Sequence, residues 1–245
     1  MKTPYTPADH AEMIRGVLAG NGMDCGGENA ALLSDFMNEL LTVNQHMNLT
    51  AIVEPEAAAL KHFADSVSLS PYLPQGARVA DIGSGAGFPT LPLAIVRRDL
   101  RFTAIDGTEK RVNFIRQTVG KLGLANVGAI AGRAELLSKE KMHRERYDAA
   151  VARAVARLNV LCELCLPFVR VGGVFVSMKS VLAEEELDEA RNAVEALGGR
   201  IAKTGSFTLR SDSETVARTV VLIEKVAPTP PAYPRSYSMI SKKPL

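Results

Sequence analysis

The chain has 245 residues, 47% of them hydrophobic and 23% charged, with 29 basic and 27 acidic side chains and a formal charge of +2. This mixture supplies a sizeable core and excludes a disordered chain, a collagen-like repeat and a disulfide scaffold. The longest uncharged stretch, 82–96, is broken by glycines and prolines and falls short of the roughly 20 apolar residues that a membrane span requires.

Met1-Lys2-Thr3-Pro4-Tyr5 leads into no apolar run of the secretory kind, so a cytoplasmic address is expected. Apolar residues then recur at helical spacing over 7–19, 28–46 and 56–70. Gly20-Asn21-Gly22, Gly26-Gly27, Pro71 and Pro74 punctuate these stretches. Asn48-Leu49-Thr50 matches a glycosylation acceptor, a match that is empty without a secretory route.

From residue 77 the pattern alternates. Strands are predicted at 77–82, 101–105, 127–131, 147–152 and 173–178. Helices are predicted at 88–98, 108–122, 134–143, 158–169 and 183–197. Such alternation implies an α/β fold with a mostly parallel sheet covered on both faces. Two further strands, 201–209 and 216–225, form an expected hairpin at the sheet edge. The last 20 residues hold Pro228, Pro230, Pro231, Pro234 and Pro244 and read as an irregular tail. The expected organisation is a helical extension over 1–74, an α/β domain over 75–226 and a proline-rich tail over 227–245.

Cys162 and Cys165 have C-x-x-C spacing, but zinc needs four ligands and the four histidines are scattered. Two cysteines at i and i+3 share one helix face, and buried core thiols are expected. No metal site is expected.

The most informative segment is Asp81-Ile82-Gly83-Ser84-Gly85-Ala86-Gly87-Phe88, a strand end running into a glycine-rich turn. Ligands of open α/β sheets bind at such carboxyl ends. A dinucleotide fingerprint has glycines spaced G-x-G-x-x-G; here the spacing is G-x-G-x-G and Asp81 precedes it. A carboxylate repels a pyrophosphate but attracts the cationic amino-acid end of S-adenosylmethionine (SAM). The next strand ends in Asp106, suited to ribose hydroxyls, and Thr108 reads as the N-cap of the following helix. SAM is the expected cofactor.

Glu135 is either a first-turn acid stabilised by the helix dipole or a contact for an adenine amino group. Phe88 is either a core residue or a cofactor contact. Arg153, an arginine among apolar neighbours at a strand end, points to a ligand or phosphate. His62 and Asp65, at i and i+3, suit a local hydrogen-bonded pair, with His62 the one catalytic candidate; Asn48 stays ambiguous. Lys110, Arg111, Arg116, Arg133 and Lys179 are phosphate contacts if the partner is RNA, and otherwise a solvated face. Aromatics are only 5% of the chain, so stacking platforms for single strands are not expected.

The chain resembles a known family, the bacterial small-subunit rRNA guanine-N7 methyltransferases (RsmG or GidB). The resemblance rests on Asn48-Leu49-Thr50-Ala51-Ile52, Lys61-His62-Phe63-Ala64-Asp65-Ser66 and the glycine loop through Pro89. It continues in Lys110-Arg111-Val112-Asn113-Phe114, Gly132-Arg133-Ala134-Glu135, Ala152-Arg153-Ala154, Met178-Lys179, Tyr233-Pro234-Arg235 and Lys242-Lys243-Pro244-Leu245. Ser180 and Arg157 depart from the family pattern. The resemblance implies a class I methyltransferase fold with an N-terminal helical extension, SAM as donor and N7 of a guanine in 16S rRNA as acceptor. It implies SAM contacts at Gly83, Phe88, Asp106, Thr108, Ala134, Glu135 and Arg153, beside Asp81 and Gly85 from the loop itself. The expected partner is 16S rRNA or the 30S particle; the sequence is compatible with a monomer but does not fix the oligomeric state. The alternatives are a methyltransferase acting on a small molecule or protein, and a binding module with a decayed site. Intact Asp81, Gly83, Gly85 and Asp106 speak against decay. Guanine N7 has a free lone pair and no proton to lose, so the expected mechanism is proximity without a general base.

Overall fold

The structure is a computed structural model that describes residues 6–153, 156–180 and 184–245. The N-terminal Met1-to-Tyr5 segment, Ala154 of the Ala152-Arg153-Ala154 motif, and Ala183 at the start of a predicted helix lie outside the described residues.

Short apolar runs become strands, the central ones buried on both faces. β1 (Arg78–Ile82), β2 (Arg101–Asp106), β3 (Val127–Ala131), β4 (Tyr147–Arg153), β5 (Val169–Lys179), β6 (Gly199–Arg210) and β7 (Thr215–Lys225) form one sheet. Their order is β3-β2-β1-β4-β5-β7-β6. The first five run parallel, and β7 lies antiparallel between β5 and β6. β1 therefore has β2 on one side and β4 on the other, the reversal of strand order at which α/β sheets open a ligand crevice.

One face of the sheet carries α8 (Leu158–Cys165) and α9 (Glu184–Ala196), packed on Ala80, Ala150 and Phe175. Cys162 and Cys165 are wholly buried on this face of α8, and burial pushes both thiols up. The other face carries α5 (Thr90–Val96) and α6 (Glu109–Leu122). Against them packs the helical extension: α1 (Pro7–Gly20), α2 (Gly26–Met47), α3 (Pro55–Ala58), a π turn over Ala59–Ala64, and α4 (Asp65–Val67).

Local chemistry sets the ends of the extension's helices. Thr6 Oγ1 accepts the Asp9 N–H at 3.2 Å while the Thr6 N–H donates to Asp9 Oδ2 at 2.7 Å, a capping box completed by Pro7 at the first helical position. α2 stops at Asn48, whose φ of 49° is left-handed, a conformation that asparagine tolerates at helix ends. Phe36 of α2 meets Phe63 of the π turn at 5.6 Å and Phe88 of the glycine loop at 5.0 Å between ring centroids. The extension and the loop thus share one core. The far hairpin closes on the extension too. Asn21 Nδ2 donates to the Arg210 carbonyl at 2.7 Å, Ser213 N–H donates to Glu56 Oε1 at 2.9 Å, and Lys61 pairs with Glu214 at 2.7 Å.

The structure corrects several boundaries. The predicted helix 56–70 is interrupted by the π turn, because 58–67 is buried except at the half-buried Lys61 and presents no continuous solvent stripe to fix a single period. The predicted helix 88–98 starts only at Thr90, beyond Pro89, and the helix predicted over 134–143 ends at Leu137 as α7 (Ala134–Leu137). β5 begins at Val169, four residues before the predicted start. The tail is not irregular throughout: α10 (Tyr237–Lys242) forms within it and buries Ile240 completely. Arg144 binds the carbonyls of Thr229 and Tyr233 at 2.8 and 2.9 Å, and Arg235 pairs with the buried Glu163. These anchors are single side chains spaced too widely to show as periodicity.

Candidate active site

Strand, turn and helix follow one another at the β1 end, and the turn is held by its backbone. Gly83, Gly85 and Gly87 have φ of 79°, 55° and 95°, left-handed values that side chains resist. A Cβ at Gly87 would stand 2.6 Å from Leu91 Cδ1, so the loop lies directly on α5. The Gly83 N–H donates to the Ile105 carbonyl at 2.8 Å, tying the loop to β2. Asp106, at the β2 end, accepts the Gly85 N–H at 2.9 Å and the Thr108 N–H at 2.8 Å. Both its oxygens are thereby fixed, each with a lone pair left over.

A cavity of about 220 Å³ opens at these strand ends. Ile82, Ile105, Val160 and Leu164 form apolar walls, Gly83, Gly107 and Gly132 leave backbone bare, and Asp106 and Glu135 supply carboxylates. Arg133 Nε donates to Glu135 Oε1 at 3.1 Å, and its guanidinium lies 4.1 Å from the centre of the Tyr237 ring. Beneath the loop, Asp81 is buried. Its Oδ2 accepts the Thr90 hydroxyl at 2.6 Å, and its Oδ1 has no hydrogen-bond partner among the described residues. Burial pushes this carboxyl up to about 7. The donor set is wrong for a pyrophosphate and fits SAM: a diol acceptor at Asp106, an orphaned buried carboxyl oxygen for an ammonium, and apolar walls for adenine.

A second cavity, about 240 Å³, lies at the ends of β4, β5 and β7 against the π turn. Asp65 is its buried centre. Arg153 Nη1 donates to Asp65 Oδ2 at 2.8 Å and to the Lys61 carbonyl at 2.7 Å, and Arg218 Nε donates to Asp65 Oδ1. Lys61, Lys179 and Ser180 also line it. His62 stacks on Phe88 at 4.4 Å between centroids, and its Nε2 meets Thr50 Oγ1 at 2.8 Å. Burial, aided by the Arg153 charge, holds the imidazole down at about 3, so it is neutral at neutral pH.

Gly83, Asp106, Ala134 and Glu135 therefore meet in the first cavity. Gly85 and Thr108 act on it through their N–H groups; Thr108 occupies the N-cap position of α6, but its side chain caps no backbone N–H. Phe88 and Arg153 stand together at the second cavity, the guanidinium 5.3 Å from the ring centre. The expected His62–Asp65 pair is absent: two guanidiniums take the carboxylate in place of a neutral imidazole. Asn48 serves as a helix end. Of the basic set, Lys110 is exposed, Arg111 stands 3.7 Å from Asp106, and Arg116 meets Glu109 at 3.1 Å. Lys179 is committed to Glu186 and to the Ala156 carbonyl, both at 2.6 Å, while Arg157 pairs with Glu189. Sequence reasoning missed Lys61, Arg218 and Tyr237. Nothing local marks the first two, whereas a tyrosine in a chain with only five was a usable signal. Among the described residues no cluster of His, Cys, Asp and Glu could hold a metal, and no helix is long and apolar enough to cross a membrane.

The strand order, the glycine loop and the carboxylate-lined cavity define a class I SAM-dependent methyltransferase. The fold matches M. jannaschii TYW2 in complex with AdoMet at TM-score 0.53 and 14% identity, over 66% of this chain and 75% of that one. It matches NSun6 from Pyrococcus horikoshii with SFG at TM-score 0.53 and 16% identity, over 66% and 51%. Within that class the chain belongs to the GidB family, rRNA small subunit methyltransferase G, whose model matches residues 29–213. The ribosomal RNA small subunit methyltransferase G of Deinococcus radiodurans is 48% identical over 204 residues, 82% of this chain and 80% of that protein. The protein of the same name from Brevibacillus brevis is 43% identical over 236 residues, 96% and 98% of the two chains.

Proposed function

We propose that this methyltransferase transfers the SAM methyl group to N7 of a guanine in 16S rRNA, acting in the cytoplasm on the RNA or the 30S particle. One observation carries the reading. Two cavities of opposite character flank the end of β1, and His62, the histidine that lines the second, is held neutral by burial. In the first, Asp106 takes the ribose hydroxyls and Glu135 the adenine amino group, while Asp81, buried beneath the glycine loop and outside the cavity lining, is the carboxyl for the ammonium. In the second, Arg153 and Arg218, two guanidiniums on the one carboxylate of Asp65, with Lys61 beside them, suit the phosphates around an acceptor nucleotide. Bound SAM supplies an electrophilic methyl group. The chain's own work is to hold the two partners in line, a proximity effect of up to about 7–11 kcal/mol. Neutral His62 stacks on Phe88 and holds Thr50, a positioning role that moves no proton.

The test incubates purified protein with labelled SAM and undermodified 16S rRNA or 30S particles and maps the modified base. The expected product is 7-methylguanine in 16S rRNA. Label at another base atom overturns the N7 assignment, and label only in protein or small molecules overturns the RNA substrate.

A further inference from the structure

The last segment of the chain does more than cover the sheet. Tyr237 opens α10 and lines the first cavity, with its ring 44% exposed. The Arg133 guanidinium lies over that ring and reaches Glu135 by its Nε. Ring, cation and buried carboxylate form a connected row along one side of the cavity.

The anchoring of this row is specific. Two residues before Tyr237, Arg235 donates from Nε to Glu163 Oε1 at 2.9 Å and from Nη2 to Glu163 Oε2 at 2.6 Å. The Arg235 N–H adds a third bond to Glu163 Oε1 at 2.8 Å. Glu163 is fully buried in α8, the helix whose Val160 and Leu164 wall the same cavity. On the far side of Tyr237, Ile240 is fully buried. The segment is therefore fixed before and after Tyr237, and fixed to the cavity's own wall. Packing is satisfied by Arg235 and Ile240, and the tyrosine ring is left half-exposed at the mouth.

We propose that residues 233–245 are a clamp on the cofactor, in which Tyr237, with Arg133 over it, is a SAM-binding residue that closes the adenosine end of the site. The proposal rests on reading the first cavity as the SAM site. An aromatic face offers an adenine ring the sequence-tolerant stacking that bases find on aromatic side chains, and the row through Arg133 sets the position of Glu135.

The test measures binding of S-adenosylhomocysteine by calorimetry to the full chain and to three variants, without RNA. Asp106→Ala should lose binding, Tyr237→Ala should weaken it about tenfold, and Tyr237→Phe should stay within about twofold because the ring remains. Hydrogen exchange over 233–245 in the unmutated chain should slow when S-adenosylhomocysteine is added. Unchanged affinity in Tyr237→Ala, or exchange that the ligand leaves unaltered, overturns the clamp. Unchanged affinity in Asp106→Ala instead removes the cofactor reading of the cavity. The exchange measurement needs no variant and stands whether or not Tyr237→Ala folds.

Discussion

The two cavities stand at the ends of neighbouring strands and are made in different ways. The first is largely a product of backbone: three glycines in left-handed conformations, N–H groups aimed at Asp106, and strand ends that arrive in register. The second is made of long side chains brought from the π turn, β4, β5 and β7, and Asp65 is separated from Arg218 by 153 residues of chain. A site built on backbone is held by whatever holds the fold. A site built on side-chain charges must hold itself, and Asp65 does this by pairing each of its oxygens with a guanidinium.

That contrast is open to breaking. Asp65→Ala should cost the most, about 3–5 kcal/mol in urea denaturation, because removing one partner from a buried ion pair leaves charge uncompensated. A loss under about 1 kcal/mol would mean that the arginines reach water and that the second cavity is not self-supporting.

The loop gives the next effect. Gly87→Ala should lose about 2–3 kcal/mol, since a left-handed φ and overpacking against Leu91 add. Gly85→Val, with no heavy atom within 4 Å of its Cβ, should lose about 1–2 kcal/mol from φ alone while weakening SAM binding through the displaced N–H. Equal losses in the two variants would show that contact with α5 is not what holds the loop.

Titration separates the cavities a third way. Asp81 is pushed up to about 7 from 3.8, and His62 down to about 3 from 6.5. Between about pH 4 and 7 the folded chain keeps a proton on Asp81 that the unfolded chain has released, so that stabilisation is lost as pH rises. Between about pH 3 and 6.5 the unfolded chain protonates His62 and the folded chain does not, so stability is lost as pH falls. The two slopes oppose each other over roughly pH 4 to 6.5. Asp81→Asn should unmask stability that rises toward pH 6.5, and His62→Gln stability that falls toward pH 7, both read as urea midpoints. Parallel curves for the two variants would remove the assignment. With RNA and SAM saturating, the single-turnover rate should be flat from about pH 6 to 9, and a limb near the usual histidine value of about 6.5 that vanished in His62→Ala with most of the activity would make His62 a proton carrier.

The smallest effect concerns the rim. Lys110→Glu should leave SAM affinity unchanged and lower the logarithmic salt slope of RNA binding by roughly 0.7–0.9 per lost phosphate contact. An unchanged slope returns Lys110 to a solvated face.

The same contrast explains what could be read from sequence. Asp81, the glycines and Asp106 were legible because backbone sites are written in consecutive residues, and strands buried on both faces show as apolar runs. Lys61 and Arg218 were not, because no local pattern distinguishes an arginine that meets a carboxylate of the extension from one that meets water. Arg153 was legible as an oddity among apolar neighbours, but its partner Asp65 was assigned to His62. The π turn escaped because a segment buried everywhere but at Lys61 carries no continuous stripe, and α10 because Ile240 is a single apolar anchor beside a proline-rich run.

The hairpin contacts on the extension also set an order of events during synthesis. Asn21, Glu56, Lys61 and Asp65 find their partners at Arg210, Ser213, Glu214 and Arg218. At about 5–20 residues per second, the roughly 150–190 residues between them take on the order of 8–38 s to make. For that interval the earliest-made helices lack the strands that seal them, and their aromatic faces are open to chaperones, proteases and one another. A chain that stops short of β7 would therefore be marked for removal by its first residues rather than its last.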